Sequence, residues 1–367
     1  MSASKKYNLV VGAGFSGAVM ARRLADVGEK VIVVDRLDHI AGSAFDYKDE
    51  NGITVHKYGS HIFHTSNPNV WSFIRRFAEF NTYMHRVLAL IDGTEAYIPF
   101  NLRTIRDIFP ETLATRLEQK LLNRFKYNTK ITIVDFQDME DPDLQFLFKY
   151  IFDKVFIEYT KKQWGSNSVD ASVTARVPVI IGTDSRYFRD TYQGIPIRGY
   201  TNLIENILDA KNIDIKLSEN FCDASECAKY KRVYYTGSID EFFGYRFGVL
   251  PYRSLRFEYR SLDMEHFQSN SVVNYPCNYD FTRVHEFKYY LNEKSRRTSI
   301  MFEYPQEFEV GKNERYYPVK NEQNSALYKN YLNEAIKVKN LFLLGRLGDY
   351  TYYDMDKAIE RALSIKI

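Results

Sequence analysis

Gly12, Gly14 and Gly17 stand in the spacing G-x-G-x-x-G, and a carboxylate, Asp35, closes the next apolar run. Together these residues could grip a dinucleotide. Gly12 permits a tight turn, Gly14 lets backbone approach a pyrophosphate, and Gly17 lets a helix pack close to the preceding strand. The pyrophosphate would rest on free N–H groups at the helix N-terminus, and Asp35 suits a ribose hydroxyl. The bland alternative is a turn before an ordinary buried helix. It does not account for strand, helix, second strand and terminal acid all falling in register. A second cluster is HKYGSHIFHTSN, which holds His56, His61 and His64. A metal site would need further ligands, and the stretch contains no carboxylate or cysteine. His56 reads as a satisfied structural histidine. His61 and His64 flank an aromatic–apolar pair, which suggests a wall beside a cofactor ring.

Such groups need elements to hold them. Residues 7–11 are apolar and β-branched enough for a buried strand, a helix runs to about Val27 with Gly28 as its C-cap, and residues 31–34 form a second strand. From about residue 102 to 164 apolar residues recur at three- and four-residue spacing, which predicts helices, with residues 129–136 extended between them. Residues 172–197 are punctuated by Gly and Pro. A helix and a strand follow over 201–221. The alternation in SLRFEYRSL and TSIMFEY predicts antiparallel strands between about residues 252 and 304. The stretch 340–363 reads as strand, glycine turn and helix, as expected where the chain returns to its first domain. The nucleotide domain is therefore discontinuous.

The 367 residues suffice for two or three packed units, and 50 basic against 47 acidic residues argue against a nucleic-acid footprint. Three cysteines, Cys222, Cys227 and Cys277, show no metal or redox spacing and point to a reducing compartment. Lys5 and Lys6 before an apolar run mimic a signal peptide. The strand–glycine–helix reading explains those residues better, and the run is too short to span a bilayer. A cytoplasmic protein without membrane insertion is expected.

The motifs VGAGFSGAV, DRLDHIAG, HKYGSHIFHT, YTKKQWG, YQGIP, YRSL, RYYPV and GRLGDYTYYDMD follow one another over nearly the whole chain. In this the sequence resembles the bacterial UDP-galactopyranose mutases. The resemblance implies that the dinucleotide is FAD, reduced for activity, and that an unidentified reductant serves it. It also implies an α/β fold: a discontinuous FAD-binding Rossmann-like domain with an inserted helical bundle and an antiparallel sheet domain, in a homodimer. The expected boundaries are 1–95 for the first FAD-binding segment and 96–172 for the bundle with a mobile lid. Residues 173–195 and 246–315 would form the substrate sheet, and 196–245 and 316–367 the returning segments. In this family the reduced flavin N5 attacks the anomeric carbon of UDP-galactose. The adduct interconverts pyranose and furanose without net redox, and the furanose feeds surface polysaccharide.

The resemblance also assigns residues. Arg176 and Arg283 match the diphosphate-clamping arginines, where a bidentate fork suits the task better than lysine. Tyr159, Tyr187, Tyr317 and Tyr352 match the tyrosines around phosphates and sugar, and phenols donate to phosphate without adding charge. Phe156 matches a uracil-stacking aromatic and Asn274 an asparagine near the substrate. Trp164 matches a lid residue, its alternative being an anchor at a helix end. Arg253, Arg346, Tyr353, Asp354 and Met355 fall on the flavin side. Phe15, Ser16, Arg36, Gly42 and Ser43 join the glycines, Asp35 and His61 around the dinucleotide. His64 joins the catalytic group.

Several positions depart from the family pattern. Residues 40–43 read Ile-Ala-Gly-Ser where Ile-Gly-Gly-Asn is usual, and Ala41 requires a negative φ if it is to be tolerated there. The second arginine of R-x-P-V-R is missing from residues 176–180. Val155 to Glu158 replaces the usual aromatic pair and Lys-Gly. His85 stands where asparagine is common, and Ser60 replaces Pro or Ala. These changes gather where base and sugar are read, so dTDP-fucopyranose and UDP-N-acetylgalactosamine are alternative substrates. An FAD-dependent oxidoreductase is a rival class, but it does not need the arginine pair and tyrosines. A silent sugar-nucleotide binder would not need the flavin motifs.

Overall fold

The computed structural model describes residues 6–136, 139–165 and 178–367. Strand β1 (Asn8–Val11) is wholly buried, helix α1 (Phe15–Asp26) follows the glycine turn, and β2 (Val31–Val34) pairs parallel to β1. Gly28, with φ 81°, ends the helix as its C-cap region requires. Ile213–Lys216 adds to β2, Val233–Tyr235 to the other side of β1, and Leu341–Leu343 beyond it, all parallel. This is the doubly wound order of a dinucleotide-binding sheet. Ala18, Val19 and Leu24 of α1 share one buried core with Leu203 and Ile207 of Gly199–Leu208 and Ile359 of Met355–Ser364. The chain thus returns twice to finish its first domain, once over 199–235 and again over 341–364, and the fold is mixed α/β with separate sheet units.

A seven-stranded sheet lies beside it, in the order Tyr317–Pro318, Tyr252–Leu262, Thr298–Glu307, Arg283–Glu286, Val272–Asn274, Val87–Ile91, Thr94–Ile98. Its pairings are antiparallel except one, Val272–Asn274 with Val87–Ile91, which is parallel. The expected boundaries shift accordingly. The hairpin 87–98 turns at Asp92-Gly93, both with positive φ, and belongs to this sheet rather than to the nucleotide domain. Tyr317–Pro318 also joins this sheet. Pro178–Ile181 leaves it, pairing instead with Phe100–Asn101 and Thr129–Thr132. Tyr192–Gly194 pairs with Phe63–Thr65.

The helical unit comprises Leu102–Ile108, Glu111–Arg124 and a run from Pro142 to Trp164. Asn101 and Thr104 form a capping box at the first, and Asp141 caps the third ahead of Pro142. Leu117, Leu121, Leu147 and Ile151 close its core. Only Thr129–Thr132 of the stretch expected to be extended is strand; Ile133–Phe136 winds into a 3₁₀ turn. Over Phe152–Ile157 the long helix widens into a π turn, a feature often placed at functional sites. No helix among the described residues is long and apolar enough to cross a membrane.

Candidate active site

One cleft of about 750 Å³ receives residues from both sheets and from the helix Glu158–Trp164. That volume suits a buried organic ligand.

Backbone dominates its first end. Gly12 has φ 102°, and a Cβ there would fall 1.9 Å from Thr236 Oγ1. At Gly17 a Cβ would fall 1.8 Å from the Gly12 carbonyl oxygen, so α1 meets β1 only because the side chain is absent. Gly14 differs. Its φ is −78°, and a Cβ would lie an ordinary 3.8 Å from the nearest protein atom, the Gly42 Cα. The fold does not require glycine at 14; an incoming ligand would. Gly14 is also the N-cap of α1 and offers no capping side chain, which leaves the first-turn N–H groups for an anion. Asp35 is buried and accepts from the Ala13 N–H at 2.7 Å and the Leu37 N–H at 2.9 Å. Its remaining lone pairs can take ribose hydroxyls. Phe15, Ser16, Gly42 and Ser43 line the same end; Arg346 reaches Ser43 Oγ at 3.4 Å, and Arg36 pairs with Glu314. These residues fit the diphosphate and ribose of a dinucleotide. Ala41 overturns one expectation: its φ is +72°, in the left-handed region, with its methyl fully buried. The alanine is accommodated as a strained turn, not by a negative φ.

The middle of the cleft is a wall of rings. His61 donates from Nδ1 to the Gly59 carbonyl at 2.7 Å, and its backbone N–H donates to His56 Nδ1 at 3.0 Å. Burial pushes both imidazoles down to about 3, so both are neutral. His64 lies against Phe188, ring centroids 3.6 Å apart, with Nδ1 2.8 Å from Asp190 Oδ2. That carboxylate can accept from an Nδ1–H, a tautomer that would leave Nε2 as an acceptor. Tyr353, Asp354 and Met355 also line the cleft, at the start of Met355–Ser364, and the Tyr352 hydroxyl donates to Asp354 Oδ1 at 2.9 Å.

Side chains dominate the far end. Asn274 stands opposite Arg283, and Arg283 opposite Glu303, on three neighbouring strands. Directly opposed residues share a face, so one row crosses the sheet into the cleft. Arg283 Nε lies 3.0 Å from Glu303 Oε1. Burial opposes the charge of Arg283, but Glu303 together with the neighbouring tyrosines more than offsets this and raises its pKa. Burial likewise opposes ionisation of Glu303, yet Arg283 and His285 hold its carboxyl below the usual range. Asn274 Oδ1 is buried without a hydrogen-bond partner among the described residues, a cost that a ligand hydroxyl would relieve. Tyr159, Tyr187 and Tyr317 line this end too, and burial raises the Tyr159 and Tyr317 phenols, keeping them neutral donors. His85 is buried with Nδ1 3.1 Å from the Tyr83 hydroxyl, and burial pushes it down to about 3.

Two expected residues stand elsewhere, and two are not described. Arg176 lies outside the described residues, as does the side chain of Trp164, whose backbone ends Glu158–Trp164. Arg253 does not line the cleft. Its Nε donates to the Gln163 carbonyl at 2.9 Å, so it holds the last turn of that helix, where a cation is favoured. Phe156 sits on the π turn and packs towards the helical core, 6.1 Å from the Phe152 ring. Sequence reasoning missed Glu303, His285, Phe188 and the Asp190 partner of His64. An acid inside the apolar run IMFEY was the available signal for Glu303.

A model of the UDP-galactopyranose mutase family matches residues 154–352, and a model of NAD(P)-binding Rossmann-like domains matches residues 10–77. The probable UDP-galactopyranose mutase of Klebsiella pneumoniae is 38% identical over 98% of this chain and 94% of its own. The dTDP-fucopyranose mutase of Escherichia coli is 36% identical over 97% of this chain and 96% of its own. A crystal structure of reduced UDP-galactopyranose mutase superposes with a TM-score of 0.71 at 15% identity, covering 98% of this chain and 93% of that one, a likeness of fold. Full-length relatives, the family match and a glycine-lined cleft shared with a row of polar side chains make this chain an enzyme, a sugar-ring-contracting isomerase of flavin-type fold belonging to the UDP-galactopyranose mutase family.

Proposed function

We propose that this enzyme interconverts the pyranose and furanose forms of a sugar nucleotide, UDP-galactose first, with reduced FAD. The observation that carries the reading is that the row Asn274–Arg283–Glu303 and the bare N-terminus of α1 open into one cleft. Gly12, Gly14, Gly42, Ser43 and Arg346 would hold the dinucleotide diphosphate, and Asp35 its ribose. When bound, reduced FAD supplies a nucleophilic N5 for the anomeric carbon. The protein's own work is to hold and release. Arg283 grips the leaving diphosphate and stabilises the charge that grows there. Tyr159, Tyr187 and Tyr317 donate to the same oxygens through their hydroxyls. Asn274 takes a sugar hydroxyl. His64 Nε2, held open by Asp190, can accept a hydroxyl proton as the ring recloses. Arg176 would complete the clamp, and Trp164 the lid. A homodimer in the cytoplasm, served by a cellular reductant and supplying furanose for surface polysaccharide, goes with this reading.

The test is anaerobic. UDP-galactofuranose is incubated with the yellow protein before and after dithionite, and the products are chromatographed. Conversion to UDP-galactopyranose only after reduction is expected. Equal conversion by the oxidised enzyme would overturn the role of reduced flavin. One finding favours dTDP-fucopyranose as second substrate: the 36% identity to the dTDP-fucopyranose mutase of Escherichia coli over nearly the whole chain. Turnover of dTDP-fucofuranose without UDP-galactofuranose would move the assignment there.

A further inference from the structure

Ser60 was a departure without a partner in the sequence; the structure supplies one. Ser60 Oγ lies 2.6 Å from His285 Nδ1 and accepts from the Tyr290 hydroxyl at 2.7 Å. His285 Nε2 lies 3.2 Å from Glu303 Oε2, and the other oxygen, Oε1, faces Arg283 Nε at 3.0 Å. The direction of each bond follows from counting protons. The tyrosine hydroxyl gives its proton to Ser60, so Ser60 spends its own on His285 Nδ1. His285 then carries its proton on Nε2 and donates it to Glu303. All four links are consistent with a neutral imidazole, an ionised Glu303 and a charged Arg283. Glu303, His285 and Tyr290 are buried, and Ser60 sits in the loop that carries His61 at the ring wall.

The consequence concerns Arg283. Its Nε is buried 3.0 Å from Glu303 Oε1 in an ion pair that lacks hydrogen-bond geometry, while the side chain as a whole keeps 24% exposure and lines the cleft. Glu303 therefore holds the guanidinium by charge at its buried Nε, and the rest of the group is left to the cleft. How firmly it is held depends on Glu303, whose second oxygen is fixed by His285, and His285 by Ser60. An alanine or proline at 60 would leave a buried imidazole nitrogen without its donor.

We infer that Ser60 and His285 are positioning residues that act through Glu303 to aim Arg283, tying the loop at the flavin wall to the arginine that grips the diphosphate. This rests on the diphosphate role given to Arg283 above. Neither residue needs to touch the reacting atoms.

The experiment titrates UDP and inorganic pyrophosphate into the FAD-loaded protein by calorimetry, with kcat and KM measured alongside. The proteins are wild type, Ser60→Ala, Ser60→Thr, His285→Phe and the double variant Ser60→Ala/His285→Phe. Flavin content and melting temperature report folding. About tenfold weaker UDP binding is expected for Ser60→Ala and for His285→Phe, with KM moving more than kcat. The double variant should be no worse than His285→Phe alone, because the two act in series. Ser60→Thr, which keeps the hydroxyl, should bind as wild type does. If wild type binds neither UDP nor pyrophosphate, the diphosphate reading falls and takes this inference with it. If wild type binds and the folded single variants bind equally well, or their losses simply add, the diphosphate reading stands and the relay is wrong. Should His285→Phe fail to fold, Ser60→Ala against Ser60→Thr decides alone.

Discussion

The two ends of the cleft are made of different materials. At the dinucleotide end the contacts are backbone: three glycines, a bare helix terminus, and a carboxylate held by two N–H groups. At the sugar end they are side chains in cross-strand register, with an ion pair, buried imidazoles and phenols. A backbone site depends on conformation and tolerates drift in side chains, which is why Ile40 to Ser43 could change and Ala41 could settle at φ +72°. A side-chain site depends on identity. One change there calls for another, as Ser60 and His285 illustrate.

The largest expected effect lies at the side-chain end. Arg283→Ala should lower kcat/KM by about a thousandfold, as loss of a transition-state donor does, with flavin retained. Near-normal turnover would remove the asymmetry between the ends. At the backbone end the glycines themselves should divide. Gly17→Ala must push a methyl into the Gly12 carbonyl and should cost roughly 2–3 kcal/mol of stability. Gly14→Ala meets nothing closer than 3.8 Å and should melt as the wild-type apoprotein does, yet lose FAD. Retention of FAD by Gly14→Ala, measured from its visible spectrum, would show that the ligand does not need the close approach.

Acid should act on the neutral imidazoles. His56, His61 and His85 sit near 3 when folded, below the unfolded value, so the unfolded chain binds more protons between those values. Stability from this source is complete above about pH 6.5 and is lost as pH falls, by about 1 kcal/mol per histidine at pH 5.5. Melting curves from pH 8 to 5 should show that decline, and His85→Asn should make it shallower. A melting temperature flat across that range would contradict the neutral buried state. The smallest effect belongs to Arg253→Ala. It should loosen the end of Glu158–Trp164 by about 1 kcal/mol and raise KM modestly, while leaving FAD bound. Loss of FAD instead would restore a flavin role to Arg253.

What the sequence made legible follows the same division. The glycine turn, α1 and Asp35 are contiguous, so their spacing carries the geometry. The hairpin 87–98 went unread although its Asp92-Gly93 turn is equally local, and nothing local says which sheet a hairpin joins. Glu303 and His285 could not be read as a pair, because strand register alone brings Arg283–Glu286 against Thr298–Glu307. Arg253 looked like a cofactor ligand because its motif travels with the flavin motifs. Its hydrogen bond goes instead to a carbonyl distant in sequence.

The order of the five-stranded sheet bears on how the chain is made. β1 lies between β2 and Val233–Tyr235, and the outer edge is Leu341–Leu343, with Met355–Ser364 packed on α1. The motif that is most local in sequence therefore belongs to the domain that is completed last. While a ribosome works through the helical unit, β1 has only β2 beside it and a buried-type edge open to water, and after Val233–Tyr235 covers that edge the sheet still lacks Leu341–Leu343 until the larger sheet is made. The nascent chain must wait for its own C-terminal third before it can close around a cofactor. Truncation there should leave an insoluble product, not a smaller flavoprotein.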